Sequence, residues 1–162
     1  MKGFDCRIMG YDPYAPSGVA EELGVRMVDL ETPLRESEIV SLHAGRTEET
    51  RHMINRQTLD LLQDGAILVN TSRGALIDEE ALLEEVGKGR IKAALDVFEE
   101  EPLPTDSPLR GAANILLSPH VAGATLETIE RLGWSVVEDM KRFFDGEEPL
   151  NRLTREWVLH AT

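Results

Sequence analysis

The stretch Ala66-Ile67-Leu68-Val69-Asn70-Thr71-Ser72-Arg73-Gly74-Ala75-Leu76-Ile77-Asp78 decides the fold class of this chain. The apolar run from Ala66 to Val69 has the length of a buried strand, and it breaks off into small polar residues, one arginine and a glycine. Asp78 then stands as the N-cap of a helix, with Glu79 and Glu80 in a first turn where the helix dipole favours negative charge. A buried strand followed at once by a helix is the unit of an open parallel sheet. Such sheets bind ligands beyond the carboxyl ends of their strands. Arg73 is read as a cation delivered to that edge, although Arg-Gly pairs are also common in plain surface turns.

The flanking sequence repeats the pattern. Downstream, Ile91 to Phe98 reads as a strand leading to Glu99-Glu100-Glu101-Pro102, and Asn114 to Leu117 as another, ending in Ser118-Pro119-His120-Val121-Ala122-Gly123. Thr125 caps the longest helix, which runs to about Phe144. Ile129, Leu132, Val136, Met140 and Phe143 recur along it every three or four residues, predicting one buried face. Gly146 stops it. Upstream, Phe4 to Tyr11 is a short strand closed by Asp12-Pro13. Asp12 either caps an Asp-Pro turn or supplies the carboxylate with which dinucleotide-binding folds accept hydrogen bonds from a ribose. A brief helix (Val19 to Leu23), a strand (Val25 to Val28), a strand from Glu38 to His43 and a helix capped by Asn55 complete the order. Strands alternating with helices predict a doubly wound, parallel α/β sheet.

Composition bounds the function. The chain has 162 residues, room for one domain with a real core, and its 41% hydrophobic and 29% charged content is that of a soluble globular protein. A formal net charge of −13 argues against nucleic acid or an anionic membrane as partner. No apolar run reaches the roughly 18 residues that span a bilayer. Cys6 is the single cysteine, which excludes an internal disulfide and points to a reducing cytoplasm. His43, His52, His120 and His160 lack metal-ligand spacing, so no metal is expected. His52 and His160 are expected on the surface, and Trp134 and Trp157 in packing.

Gly10-Tyr11-Asp12-Pro13, Val40-Ser41-Leu42-His43-Ala44, Asn70-Thr71-Ser72-Arg73-Gly74, Leu95-Asp96-Val97-Phe98-Glu99-Glu100-Glu101-Pro102 and Ser118-Pro119-His120-Val121-Ala122-Gly123 together resemble the D-isomer-specific 2-hydroxyacid dehydrogenase family, which includes D-3-phosphoglycerate dehydrogenase. The resemblance spans nearly the whole chain in the family's order and spacing. It implies an NAD-dependent oxidoreductase acting on a small 2-hydroxy or 2-oxo acid. In that reading Arg73 binds the substrate's carboxylate and carbonyl oxygen, His120 is the acid/base at the reacting oxygen, and Glu101 pairs with His120. Asp12 binds the adenosine ribose, which favours NAD over NADP. Further cofactor contacts fall at Thr71, Ser72, Arg73, Asp96, His120 and Gly123. Thr47 lies near the cofactor in the family, but Gly45-Arg46 stands where the family usually has Pro-Leu.

One feature of the family is missing. No Gly-x-Gly-x-x-Gly turn occurs in the chain, nor the strand that precedes it. Residues 1–146 are therefore expected to form an incomplete NAD-binding domain followed by a tail, 147–162, with the family's substrate domain absent. In a doubly wound sheet the first strand is central, so its loss separates the strands at Phe4–Tyr11 and Val25–Val28 from those that begin at Glu38. The expected outcome is either direct closure of the two parts or a strand-swapped homodimer. Weak NAD binding and weak activity are expected of this chain alone. The competing expectation is a catalytically silent interaction module, a role with precedent in the family's dinucleotide-sensing corepressors.

Overall fold

The computed structural model describes residues 4–16 and 18–155. Its strands are β1 (Ile8–Gly10), β2 (Val25–Met27), β3 (Ile39–Leu42), β4 (Ile67–Asn70), β5 (Lys92–Leu95) and β6 (Ile115–Leu117). The helices are α1 (Val19–Leu23), α2 (Glu31–Glu36), α3 (Arg56–Leu59), α4 (Glu79–Gly87) and α5 (Leu126–Phe144). Trp157, Val158 and His160 lie outside the described residues.

β3, β4, β5 and β6 form one parallel sheet in sequence order, with Leu68 of the second strand paired to Val40 on one side and Ala93 on the other. Parallel neighbours need a crossover; α3 and α4 lie in two of them, and a 3₁₀ turn at Pro108–Gly111 lies in the third, between β5 and β6. Leu34 of α2, Leu59 of α3 and Ala81, Leu82 and Val86 of α4 bury against Val40, Leu42, Leu68, Ala93 and Leu95 of the strands. Buried positions of α4 fall at 81, 82, 85 and 86, one stripe of a helix. Arg90 ties α4 to α3: its guanidinium donates to the carbonyl of Leu59 at 2.6 Å and to Glu85 at 2.7 Å. Glu85 is 2% exposed, and the paired arginine makes that burial tolerable.

β1 and β2 form a separate two-stranded parallel sheet, and no strand pairing joins it to the four-stranded one among the described residues. Direct closure of the two parts is not seen among the described residues. The outer edge of β3 pairs with no strand among the described residues, and Ile39 is 62% exposed.

α5 corrects one expectation. Thr125 caps it as predicted, its hydroxyl accepting from the Thr128 N–H. Its apolar stripe is not buried: Ile129, Leu132, Val136, Met140 and Phe143 are all exposed, as is Trp134. Periodicity shows which face would be covered, and no described element of this chain packs on it.

The stretch from Ala66 to Asp78 behaves as read, with β4 followed by a 3₁₀ turn at Gly74–Leu76 and α4 capped by Asp78. Gly74 is the tight point of the turn. A Cβ there would lie 1.9 Å from the carbonyl carbon of Phe98 and 2.4 Å from the amide of Glu99. Backbone on both sides leaves little room to relax. Gly74→Ala is expected to destabilise the chain by about 3 kcal/mol or more, a loss that urea unfolding of the two proteins would measure.

Candidate active site

All four strands of the larger sheet run in one direction, so their carboxyl ends share an edge. Polar residues collect there. Asn70 closes β4 and is fully buried; its side-chain amide donates to the carbonyl of Arg73 at 2.8 Å and its oxygen accepts from the Ser72 N–H at 3.1 Å. The Ser72 hydroxyl reaches back to the carbonyl of Leu42 on β3. These bonds set the turn and leave the Arg73 side chain exposed, its guanidinium donating to the carbonyl of Ser72 at 2.7 Å.

Beyond β5, Asp96 is 2% exposed. Its carboxylate accepts from the Ser118 hydroxyl and from the backbone N–H groups of Val121 and Ala122, both at 2.9 Å. The His120 N–H donates to the Asp96 carbonyl at 2.8 Å. Asp96 thus bends the chain after β6 back over the end of β5, and His120 takes a φ of 54° to follow. Burial pushes the Asp96 carboxyl up, but the Ser118 hydroxyl, the two N–H donors and the nearby His120 outweigh it and hold the pKa below the usual value.

Glu101 meets His120 in consequence. The Glu101 Oε2 and His120 Nδ1 lie 2.6 Å apart, and Glu101 Oε1 accepts from the Phe98 N–H at 2.9 Å. Desolvation raises the Glu101 carboxyl; the His120 hydrogen bond, the Phe98 N–H and the charges of His120 and Arg73 together bring it lower. A carboxylate on Nδ1 orients the ring and leaves Nε2 for a reacting oxygen. His120 is half exposed, so the pair faces open space at the sheet edge.

Arg73, Glu101 and His120, read from three separate strand ends, are therefore brought to one edge, and Asp96, Thr71 and Ser72 lie beside them. Gly123 sits in the exposed turn that the Val121 carbonyl closes on the Ala124 N–H. Asp12 belongs to the separate β1–β2 unit, exposed, where its Oδ1 accepts from the Tyr14 N–H. Thr47 is engaged in its own turn, trading hydrogen bonds with Thr50. His43 contacts the Ser41 hydroxyl at 3.0 Å. The surface reading of His52 needs correction: the ring is half-buried against Glu99, with Nε2 at 3.0 Å from Oε1. Sequence reasoning also passed over Asn70 and Gly74 as organisers of the Arg73 turn. An asparagine at a strand end before small polar residues was the available signal.

No group of three His, Cys, Asp or Glu side chains among the described residues is arranged to hold a metal ion. No helix among them is long and apolar enough to cross a membrane.

The two lowered carboxyls give a pH prediction. A group whose folded pKa is depressed contributes stability above its unfolded value, about 4 for carboxylates, and loses it as pH falls through the folded value. Asp96→Asn is expected to be less stable than the parent by about 2 kcal/mol at neutral pH. That gap should narrow in acid, as the parent's own carboxyl protonates, when both proteins are unfolded by urea across a pH series.

Comparison with known proteins gives this edge a context. Residues 1–122 match the D-isomer specific 2-hydroxyacid dehydrogenase NAD binding domain. Glyoxylate reductase of Korarchaeum cryptofilum is 46% identical over 158 residues, covering 97% of this chain and 48% of that enzyme. Hydroxypyruvate reductase of Thermotoga maritima is 47% identical over 139 residues, covering 83% of this chain and 44% of its own length. The solved structure of a D-lactate dehydrogenase from Treponema pallidum superposes with a TM-score of 0.81 at 32% identity, over 94% of this chain and 50% of that one. The chain thus spans about half the length of the relatives it matches. It belongs to the D-isomer-specific 2-hydroxyacid dehydrogenase family and corresponds to that family's NAD-binding domain.

Proposed function

We propose that this chain supplies the cofactor side and the acid/base of an NAD-dependent 2-hydroxyacid dehydrogenase, interconverting a small 2-oxo acid and its 2-hydroxy acid. The observation that supports it above all is the 2.6 Å contact between His120 and Glu101 at the carboxyl edge of a parallel sheet, with Arg73 on the adjoining strand end. The relatives' names agree on the chemistry: glyoxylate and hydroxypyruvate reduction both act on a carbonyl next to a carboxylate.

Each residue then has a task. Arg73 presents a planar, permanently charged fork that suits the carboxylate and carbonyl oxygen of a 2-oxo acid better than a lysine point charge would. His120 delivers a proton to the carbonyl oxygen in reduction and takes it from the hydroxyl in oxidation. Glu101 holds the ring in place and stabilises the imidazolium. A bound nicotinamide supplies the hydride to C2 of the substrate, so reduction uses one hydride and one proton. Residues for part of that cofactor are present. The exposed Asp12 carboxylate suits a ribose with a free 2′-hydroxyl and disfavours a 2′-phosphate, and the open edge between Thr71–Arg73 and Asp96–Gly123 suits the nicotinamide end. The pyrophosphate lacks a Gly-x-Gly-x-x-Gly cradle in these residues. NAD binding and turnover by this chain alone are accordingly weak in this reading.

A second reading, an association module without turnover of its own, is favoured by one specific observation. Among the described residues nothing covers the apolar stripe of α5 or pairs with the outer edge of β3. A second copy of the chain pairing across these surfaces would make a homodimer, and the two readings are compatible.

Two measurements test the proposal. Calorimetric titration with NAD should give weak binding that Asp12→Ala weakens further, and a small-2-oxo-acid assay with NADH should show slow turnover that His120→Ala lowers about a hundredfold or more. Turnover equal in the parent and in His120→Ala would remove the acid/base assignment. Light scattering across a dilution series should give the mass of a dimer, and a monomer at every concentration would count against association.

A further inference from the structure

Outside the Arg73, Glu101 and His120 group, one polar cluster links two of the segments that build it. Glu99 Oε1 accepts from Arg51 Nη2 at 3.0 Å and lies 3.0 Å from His52 Nε2. The Glu99 backbone N–H donates to Glu79 Oε1 at 2.7 Å. His52 itself has a φ of 49°, and its N–H donates to the carbonyl of Ala75 at 2.8 Å. Ala75 is two residues from Arg73, and Glu99 is two residues from Glu101. His52 therefore grips both the turn that presents Arg73 and the loop that presents Glu101, at the place where Gly74 lies against Phe98 and Glu99.

We propose that His52, acting with Arg51 through Glu99, is a positioning residue for the Glu101–His120 pair and for its spacing from Arg73. This rests on the dehydrogenase reading for its catalytic consequence, though not for its structural one. A left-handed backbone conformation at a non-glycine residue is a local cost that the surroundings must hold in place, and here it turns the imidazole toward Glu99 while the backbone N–H stays on Ala75. The Glu99 carboxylate, though partly exposed, is held by Arg51 and His52 on the segment before α3, and the residue's backbone N–H donates to Glu79, the first residue of α4. Four residues from Phe98 to Glu101 are then fixed at both ends, because Glu101 also accepts from the Phe98 N–H. Without the Glu99 carboxylate the loop loses its ties to Arg51 and His52 and keeps the backbone bond to Glu79 and the Phe98–Glu101 bond, which leaves Glu101 freer to drift from His120 Nδ1. Misplacement of an acid/base by about 1 Å costs up to about a hundredfold in rate even when every reacting group is intact.

The test uses the full chain with ¹⁵N-labelled histidine, at alkaline pH and with no substrate or cofactor. In the parent, a carboxylate on Nδ1 holds the His120 ring as the Nδ1–H tautomer, which the two ring-nitrogen shifts report. Glu99→Ala and His52→Ala are expected to move those shifts toward a mixture of tautomers, and His52→Gln, which keeps a donor within reach of Glu99, to stay near the parent. Thermal unfolding of each variant checks that the fold persists. Should Glu99→Ala fail to fold, the comparison of His52→Ala with His52→Gln carries the same decision. Unchanged His120 shifts in a folded His52→Ala and Glu99→Ala would overturn the proposal. Where the chain turns over a 2-oxo acid, the same variants should lose about tenfold in kcat with KM altered less than about twofold. A parent without turnover whose His120 shifts respond as described would remove the enzymatic reading of this chain and leave the positioning role standing.

Discussion

Parallel pairing of β3 through β6 puts four strand ends on one edge, and everything chemically interesting in the chain follows from how that edge is then folded over. Strand ends alone would scatter Arg73, Glu101 and His120 over the width of the sheet. Two short-range devices gather them. At Asp96, three donors converge on one buried carboxylate and pull the segment after β6 across the end of β5. At Gly74, the absence of a side chain lets the Arg73 turn rest on the Phe98–Glu99 backbone. A buried carboxylate with its hydrogen bonds satisfied is strongly directional, since any rotation would strand a donor in a low-dielectric setting.

Stability and chemistry are unevenly shared along the chain. Residues 34 to 109 contain the fully buried side chains, with Leu59, Leu68, Leu76, Leu82 and Ile91 all at 0% exposure. The β1–β2 unit and α5 lie outside that core, and their apolar residues remain in contact with solvent. Apolar burial contributes on the order of 25 cal/mol per Å², so the exposed stripe of α5 represents stabilisation that the described residues do not realise among themselves. The Glu101–His120 pair stands at the boundary of the two regimes: Glu101 hangs from the well-packed sheet, and His120 from the segment leading into α5. Anything that covers α5 would also steady the approach to His120.

Much of the fold was legible from local pattern. Strand identities, the order of the elements and the Asp78, Asn55 and Thr125 caps follow from apolar runs, period and helix-end chemistry, each of which acts over a few residues, whereas the break between the two sheets was implied by the family resemblance. Most strands were read too long, by up to four residues at one end, because sequence pattern continues past the last ladder hydrogen bond, whereas β4 runs one residue beyond its reading, to Asn70. The helix after Asn55 stops at Leu59, and Arg90 takes up the Leu59 and Leu62 carbonyls. Arg90 comes from 28 to 31 residues further along, a separation no local pattern reports.

For the site the division is similar. Sequence by itself determined which residue types stand at the strand ends and, through the collinear motifs, the family to which they belong. Tertiary structure decided which of them meet. It joined Glu101 to His120, made Asp96 the buried hinge between β5 and the segment after β6, and placed His52 between Ala75 and Glu99 rather than on the free surface. It also left the α5 stripe exposed, where periodicity alone predicted burial. The physical reason is the same in each case: periodicity and capping are set by neighbours in the chain, whereas hydrogen bonds to a buried carboxylate, contact through a missing Cβ and the covering of an apolar face depend on partners distant in sequence, whose presence and geometry only the folded chain defines.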